Sequence, residues 1–342
     1  MTTVQDLGRR GYQHLGVPPS GALDHVGLRA ANLLVGNPAQ TAALEIAYAG
    51  PTLAVEAESA RVALAGPAAI EILSADEEGP PERLAPYSSA RLVRGQRLSI
   101  GALRGSAVAY LAVEGGFALP PVMGSLSTLT RAAIGGYEGR ALRAGDIIAL
   151  AQNHAEERPE LMLPAPSLAP CGSIRVVLGP QADHFTRAGV ATLLSAGYRV
   201  SEACDRMGMR LSGPALEHSE RGSDIVSDGI ATGAIQVPGD GQPIVLLADR
   251  QTTGGYPKIA TVISADIPGL ARLMPGQRVA FKAVAIEEAE AAAQALATFI
   301  ADLPLKVTAV QRARTLDAAR LMGENLVSGI IDAREASGVE GQ

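Results

Sequence analysis

Ser227-Asp-Gly-Ile-Ala-Thr-Gly-Ala-Ile-Gln-Val-Pro-Gly-Asp-Gly-Gln-Pro-Ile-Val-Leu-Leu-Ala-Asp-Arg-Gln-Thr-Thr-Gly-Gly-Tyr-Pro-Lys-Ile-Ala260 is the stretch that decides the fold. Its apolar runs are only a few residues long and are separated by loops of Gly, Pro, Asp, Gln and Thr. Runs this short, bounded by such turn formers, read as strands, because a helix needs a longer periodic segment. The same rhythm extends outward through Arg61–Ala65, Arg97–Ile100, Ser106–Val113, Ile174–Leu178 and Pro243–Ala248. Many short strands with frequent turns indicate a mainly β protein of barrels or sandwiches, not a doubly wound sheet.

At 342 residues the chain is long enough for two domains, and 47% hydrophobic with 19% charged residues is ordinary for a globular protein. A net charge of −6 and a pI near 5.5 give no sign of nucleic acid or an anionic membrane as partner. Cys171 and Cys204 show no metal-type spacing and no secreted disulfide framework. No apolar run of membrane-spanning length and no leader pattern are present, so the expected compartment is the cytoplasm.

Three helices are expected. Asp24 is placed to cap a run through Leu28, Ala31 and Leu34 that Gly36 ends. An Ala- and Glu-rich run from Ile286 to Ile300 is closed by Pro304, and a third helix begins near Leu316. Pro164, Pro166 and Pro170 mark a linker over 156–170. The expected division is therefore 1–155, that linker, 171–304 and a C-terminal helical tail over 305–342. Two echoes support related halves: Arg61-Val-Ala-Leu-Ala-Gly-Pro67 with Arg175-Val-Val-Leu-Gly-Pro180, and Gly95-Gln-Arg-Leu98 with Gly276-Gln-Arg-Val279.

Three segments carry candidate chemistry. The run Gly11 to Asp24 offers His14 and Ser20 among glycines that let backbone approach a ligand; a turn leading to a capped helix accounts for those two equally well and for Asp24 better. The cluster Gly124-Ser-Leu-Ser-Thr-Leu-Thr-Arg131 followed by Gly135–Arg140 suits an anion, or else is a loop decorated by local turns. The third segment is the stretch quoted first. There Gln236, Gln242 and Gln251, with Thr252, Thr253 and Tyr256, can meet the edges of a planar amide. Arg250 and Lys258 can hold a carboxylate or phosphate, one as a fork and the other as a point charge. Asp240 is the favoured proton carrier, with Asp249 as the alternative. Lys258 is one of only three lysines, with Lys282 and Lys306, which makes its place in this polar run conspicuous. No phosphate-binding Gly-Lys-Ser/Thr loop, biotin-acceptor lysine, nucleophile elbow or His metal spacing appears, so no metal is expected.

Through Thr3–Arg9, Gly11–Asp24, Ala31–Asn37, Pro120–Ser125, Gly139–Asp146, Asp205–Gly208 and Ser227–Ile263, the sequence resembles the biotin-dependent carboxyltransferase-like family. That family includes allophanate hydrolase subunit 2-like, urea amidolyase-related and KipA-type proteins. The resemblance covers roughly residues 1 to 335, and Gln251-Thr-Thr-Gly-Gly-Tyr-Pro-Lys258 is its most specific run. It implies two cyclophilin-like β-barrel domains with a few peripheral helices. It also implies an activity shared with other proteins. The favoured one is the ATP-coupled opening of 5-oxo-L-proline to L-glutamate beside 5-oxoprolinase subunits A and B (the latter KipI-like), with ATP bound with or by a partner. The alternatives are biotin-dependent carboxyl transfer to urea or a related amide, and a non-catalytic role against a KipI-like partner. Arg10 and Leu126 stand where members often carry Pro and Arg, which ranks the third segment ahead of the second.

Overall fold

One short segment, 278–283, supplies both edges of the largest sheet. In the computed structural model, which describes residues 1–76, 80–167 and 173–310, Arg278–Val279 pairs antiparallel with Tyr198–Val200. Phe281–Ala283 pairs parallel with Ile174–Leu178 at the other end. Only Ala280 separates the two edges, so an eight-stranded sheet curls into a nearly closed barrel and leaves little exposed edge. Between these edges run Gly208–Ser212, Ile244–Leu246, Ala234–Gln236 and Lys258–Val262. Val176, Met209, Leu211, Ile235, Val245 and Ile259 fill the interior.

The N-terminal half is built from two antiparallel sheets. One carries Thr2–Gln5, Ala43–Ala47, Val108–Val113, Ser59–Ala65 and Ser89–Val93; the other carries Thr52–Ala54, Arg97–Leu103, Ala68–Leu73 and Glu82–Leu84. Strand alternation explains the composition of Ser59–Ala65. Val62 and Leu64 enter the barrel core, whereas the small Ala63 and Ala65 lie beneath a helix. That helix, α1 (His25–Leu34), covers the sheet with Leu28, Ala31 and Leu34. Asp24 caps it as expected, accepting from Val26 N at 3.0 Å and Gly27 N at 2.9 Å. Gly36 follows at φ +73°, a conformation that favours glycine.

Two helices escaped the sequence reading: α2 (Arg187–Ser195), capped by Thr186, and α3 (Ile267–Ala271), with Pro268 in its first turn. α2 contains Gly189 and Thr192, which weaken its helical signal. The Ala-rich α4 (Ile286–Ala301) forms where expected, and Pro304 lies in the short 3-10 turn that follows. The helix expected from Leu316, and Cys171, fall outside the described residues. Residues 1–309 pack as one unit.

The Gly-Gln-Arg echo has a common structural basis. In each copy the glycine N–H donates to a distant strand, Gly95 to Val55 O and Gly276 to Val200 O, both at 2.8 Å. Each glutamine side chain then closes its own turn, accepting from Val93 N at 2.9 Å or Met274 N at 2.7 Å. The stretch read as a weakly packed linker is held more firmly than expected at its start. Arg61 donates to the Glu160 carboxylate at 3.1 Å, to Glu156 O at 2.9 Å and to Arg158 O at 3.1 Å.

Candidate functional site

The quoted stretch folds into a two-layer polar cluster. Its outer layer is a short ribbon in which Asp228–Gly229 pairs with Thr253–Gly254. In the layer below, Gln236 and Lys258 stand directly opposite each other on neighbouring antiparallel strands, at a register shift after Ile235. Gln251 donates to Gln236 Oε1 at 3.2 Å, and Gln236 donates to Tyr256 O at 3.4 Å. Gly254 leaves room for the cluster, since a Cβ there would lie 2.7 Å from both Gln236 Nε2 and Ile230 Cδ1 and would push one of those side chains aside.

The two cations of the cluster are in different electrostatic states. Lys258, 2% exposed, places Nζ 2.9 Å from Asp228 Oδ2. Gln181 joins that pair, donating to Asp228 Oδ2 at 3.1 Å and accepting from Lys258 N at 3.2 Å. The Lys258 hydrogen bond, helped by Gly229 N–H and Gln181, holds the Asp228 carboxyl below its usual range. Among the described residues, Arg250, 4% exposed, donates to backbone alone, to Ile230 O at 3.1 Å and Leu247 O at 3.4 Å. Burial alone pushes its guanidinium down. A buried cation held by carbonyls with no counter-charge in contact is poised for an anion.

The other expected site residues divide. Gln251, Thr253 and Tyr256 are exposed around the ribbon and Thr252 is half-buried, so this group surrounds the cluster. Asp240 and Gln242 do not join it. They close an exposed turn, where Asp240 Oδ1 accepts from Gln242 N at 3.0 Å and the Gln242 amide clamps Gly213 N and Gly213 O at 3.1 Å each. Asp240 therefore stands as a turn residue, and Asp228 is the carboxylate the fold brings to Lys258. His14 is exposed on the turn Gln13–Leu15, apart from the cluster. Ser20 is buried and donates its N–H to Ala248 O at 3.1 Å, which brings the second half against the first. Lys258 was expected as a free point charge, but Asp228 already neutralises it.

The second segment spends its two serine hydroxyls on one carboxylate, and Thr128 Oγ1 donates to Val4 O at 3.0 Å. Asp6 accepts from Gly8 N at 2.8 Å, Ser125 Oγ at 2.7 Å, Leu126 N at 2.7 Å and Ser127 Oγ at 2.5 Å. Arg140 is taken by Asp146 at 2.7 Å, and its hydrogen bond pulls the Asp146 carboxyl down to about 2.

Asp249, the alternative proton carrier, belongs to a buried charge seam between the two halves. Arg206 chelates it through Nε at 2.8 Å and Nη2 at 3.1 Å, and also binds Gly21 O at 2.7 Å and the Glu45 carboxylate. Glu45 accepts from Tyr110 Oη at 2.6 Å and Leu23 N at 2.9 Å. Burial lowers Arg206, but Glu45 and Asp249 more than reverse this and leave it above its ordinary value. Sequence reading missed Glu45, Arg206, Gln181 and Asp228. Only Asp228 had a local signal, as a polar residue inside the quoted stretch.

Residues 15–283 match the family described as carboxyltransferase domain, subdomain A and B. The chain belongs to this family. Among its relatives, the 5-oxoprolinase C subunit of Escherichia coli is 39% identical over 86% of this chain and 91% of its own length. The protein of the same name from Haemophilus influenzae is 37% identical over 84% and 89%. Urea carboxylase of Kluyveromyces lactis superposes with a TM-score of 0.79 at 28% identity, over 88% of this chain but only 28% of that one. This carboxyltransferase-domain chain thus corresponds to nearly the whole of some relatives and to one part of another. Among its described residues, no helix is long and apolar enough to cross a membrane.

Proposed function

We propose that the chain is the C-type component of an ATP-dependent 5-oxoprolinase, binding 5-oxo-L-proline and opening it to L-glutamate with subunits A and B in the cytoplasm. The observation that carries this reading is Arg250, a buried guanidinium with no carboxylate partner beside the Gln236–Gln251 amide pair. The substrate is a planar lactam bearing one carboxylate. The carboxylate meets Arg250, and the exposed Gln251 amide, braced by Gln236, aligns with the ring amide. Extensive identity to 5-oxoprolinase C subunits supports the substrate class.

ATP, held with or by a partner protein, supplies the phosphoryl group that makes the lactam oxygen a leaving group. Water then adds at that carbon, and the C–N bond breaks as the nitrogen gains a proton. The acyl phosphate left behind is hydrolysed by a second water to the carboxylate and free phosphate. Asp228, ionised beside Lys258, is placed to take the proton of the attacking water. The test mixes this chain with A and B subunits, ATP and 5-oxoproline, and measures glutamate. Turnover that needs all three proteins, with Arg250→Lys raising KM on the order of a hundredfold, supports the reading. An intact complex without turnover refutes it.

The structural likeness to urea carboxylase favours one second reading, biotin-dependent carboxyl transfer to urea from a separate biotinylated protein. Activity abolished by avidin identifies that case.

A further inference from the structure

Of the five buried side-chain polar atoms without a partner among the described residues, four lie on Gln5, Arg9 and Ser20. Arg9 is 1% exposed; its Nη2 donates to Ser127 O, while Nε and Nη1 have no partner. Asp6 and Asp249 are within electrostatic range, yet Asp6 is occupied by four other donors and Asp249 by Arg206. Burial dominates over both and leaves Arg9 below its ordinary value. Ser20 lies alongside: Arg9 N donates to Pro19 O at 2.8 Å, and a Cβ on Gly8 would lie 2.9 Å from Ser20 O. Ser20 holds φ +55°, a costly conformation for a serine, and its buried Oγ also has no partner. Gly135 keeps the guanidinium's flank clear, since a Cβ there would lie 2.7 Å from Arg9 Nη2.

A buried guanidinium with two idle donor atoms, and a buried idle hydroxyl on the strained backbone packed against the same turn, are unfavourable unless something anionic completes them. We infer that Arg9 and Ser20 form a second oxyanion site, separate from Arg250, for a compact group with at least two acceptor oxygens. Two sources share that chemistry: a phosphoryl group, or a carboxyl group of the bicarbonate type. Arg9 supplies charge and two N–H donors, and the Ser20 hydroxyl donates a third bond. The inference does not rest on the lactam reading and would survive its failure.

The test is calorimetric titration of the full chain with inorganic phosphate and, separately, with bicarbonate. Binding of either at this place, in addition to any at Arg250, is expected: phosphate alone points to a phosphoryl source, bicarbonate alone to a carboxyl source, and both to a general oxyanion site. Arg9→Lys should weaken binding about tenfold or more and Ser20→Ala about threefold, while Arg250→Lys changes it less than about twofold. Should Arg9→Lys fail to fold, Ser20→Ala decides alone. Wild-type chain that binds neither anion up to about 20 mM has only water at this place, and the inference falls. It also falls when Arg250→Lys removes binding that the Arg9 and Ser20 variants retain.

Discussion

Arg206 in the seam and Arg250 in the cluster are buried to nearly the same degree and are held on opposite principles. Arg206 meets two carboxylates and a carbonyl, so its charge is answered inside the fold. Arg250 meets carbonyls alone, leaving its charge for something from outside. Burial by itself therefore does not distinguish the two arginines; the presence of an internal counter-charge does, and it makes Arg250 the candidate for binding.

The sharpest way to break this contrast is Arg206→Met. It strands Glu45 and Asp249 as buried unpaired carboxylates, with an expected loss of about 3–5 kcal/mol in urea unfolding. Adding Glu45→Gln and Asp249→Asn should recover much of that loss. Arg250→Met should do the reverse. Removing an uncompensated buried cation should leave stability unchanged or raise it by about 1 kcal/mol, while glutamate formation drops at least about a hundredfold. A large stability loss from Arg250→Met would show that the fold answers its charge after all.

The contrast also marks what could be read from the sequence. The strands and the α1 cap at Asp24 were legible because each has its signal in residues a few positions away, and the Gly-Gln-Arg repeat was legible as an echo though not as a turn. The strand order was not. That 278–283 supplies both edges of one barrel depends on pairings with 198–200 and 174–178, which no local pattern encodes. In the candidate site, Gln236, Arg250, Gln251 and Lys258 could be found because one hairpin-rich segment carries them together. Asp240 could not be told from a turn residue, because a carboxylate in a Gly-rich turn looks the same whether it faces a ligand or its own backbone. Asp228 drew no separate notice within the quoted stretch, and its helper Gln181, which follows the strand paired beside that of Lys258, lies 77 residues away in sequence.

A middle-sized effect separates these two aspartates. Asp228→Asn should lower kcat about tenfold or more by removing the carboxylate beside Lys258, and Asp240→Asn should stay within about twofold of wild type. Steady-state kinetics of the assembled complex measures both. Equal losses would mean that the exposed turn reaches the ligand, and the distinction drawn from hydrogen bonding would fail. Gly254→Ala should resemble a binding defect, raising KM, because its methyl group displaces Gln236 while leaving Asp228 and Lys258 in place.

The smallest effect lies at the border of the seam, in His25, which follows the Asp24 cap. Its Nδ1 lies 2.8 Å from the Arg29 guanidinium, which can only donate, so the ring must be neutral to accept. Burial lowers the His25 pKa first and Arg29 lowers it further, with only partial opposition from Asp24. The folded value thus lies below that of the unfolded chain, near 6.5, and the unfolded chain binds the proton more readily. The contribution is present in full above about pH 6.5 and is lost as the pH falls through the folded value. Thermal unfolding between pH 8 and 5 should show Tm falling less steeply in His25→Gln than in the wild type. Parallel profiles would mean that His25 titrates alike in both states, and that acid sensitivity comes from the paired carboxylates instead.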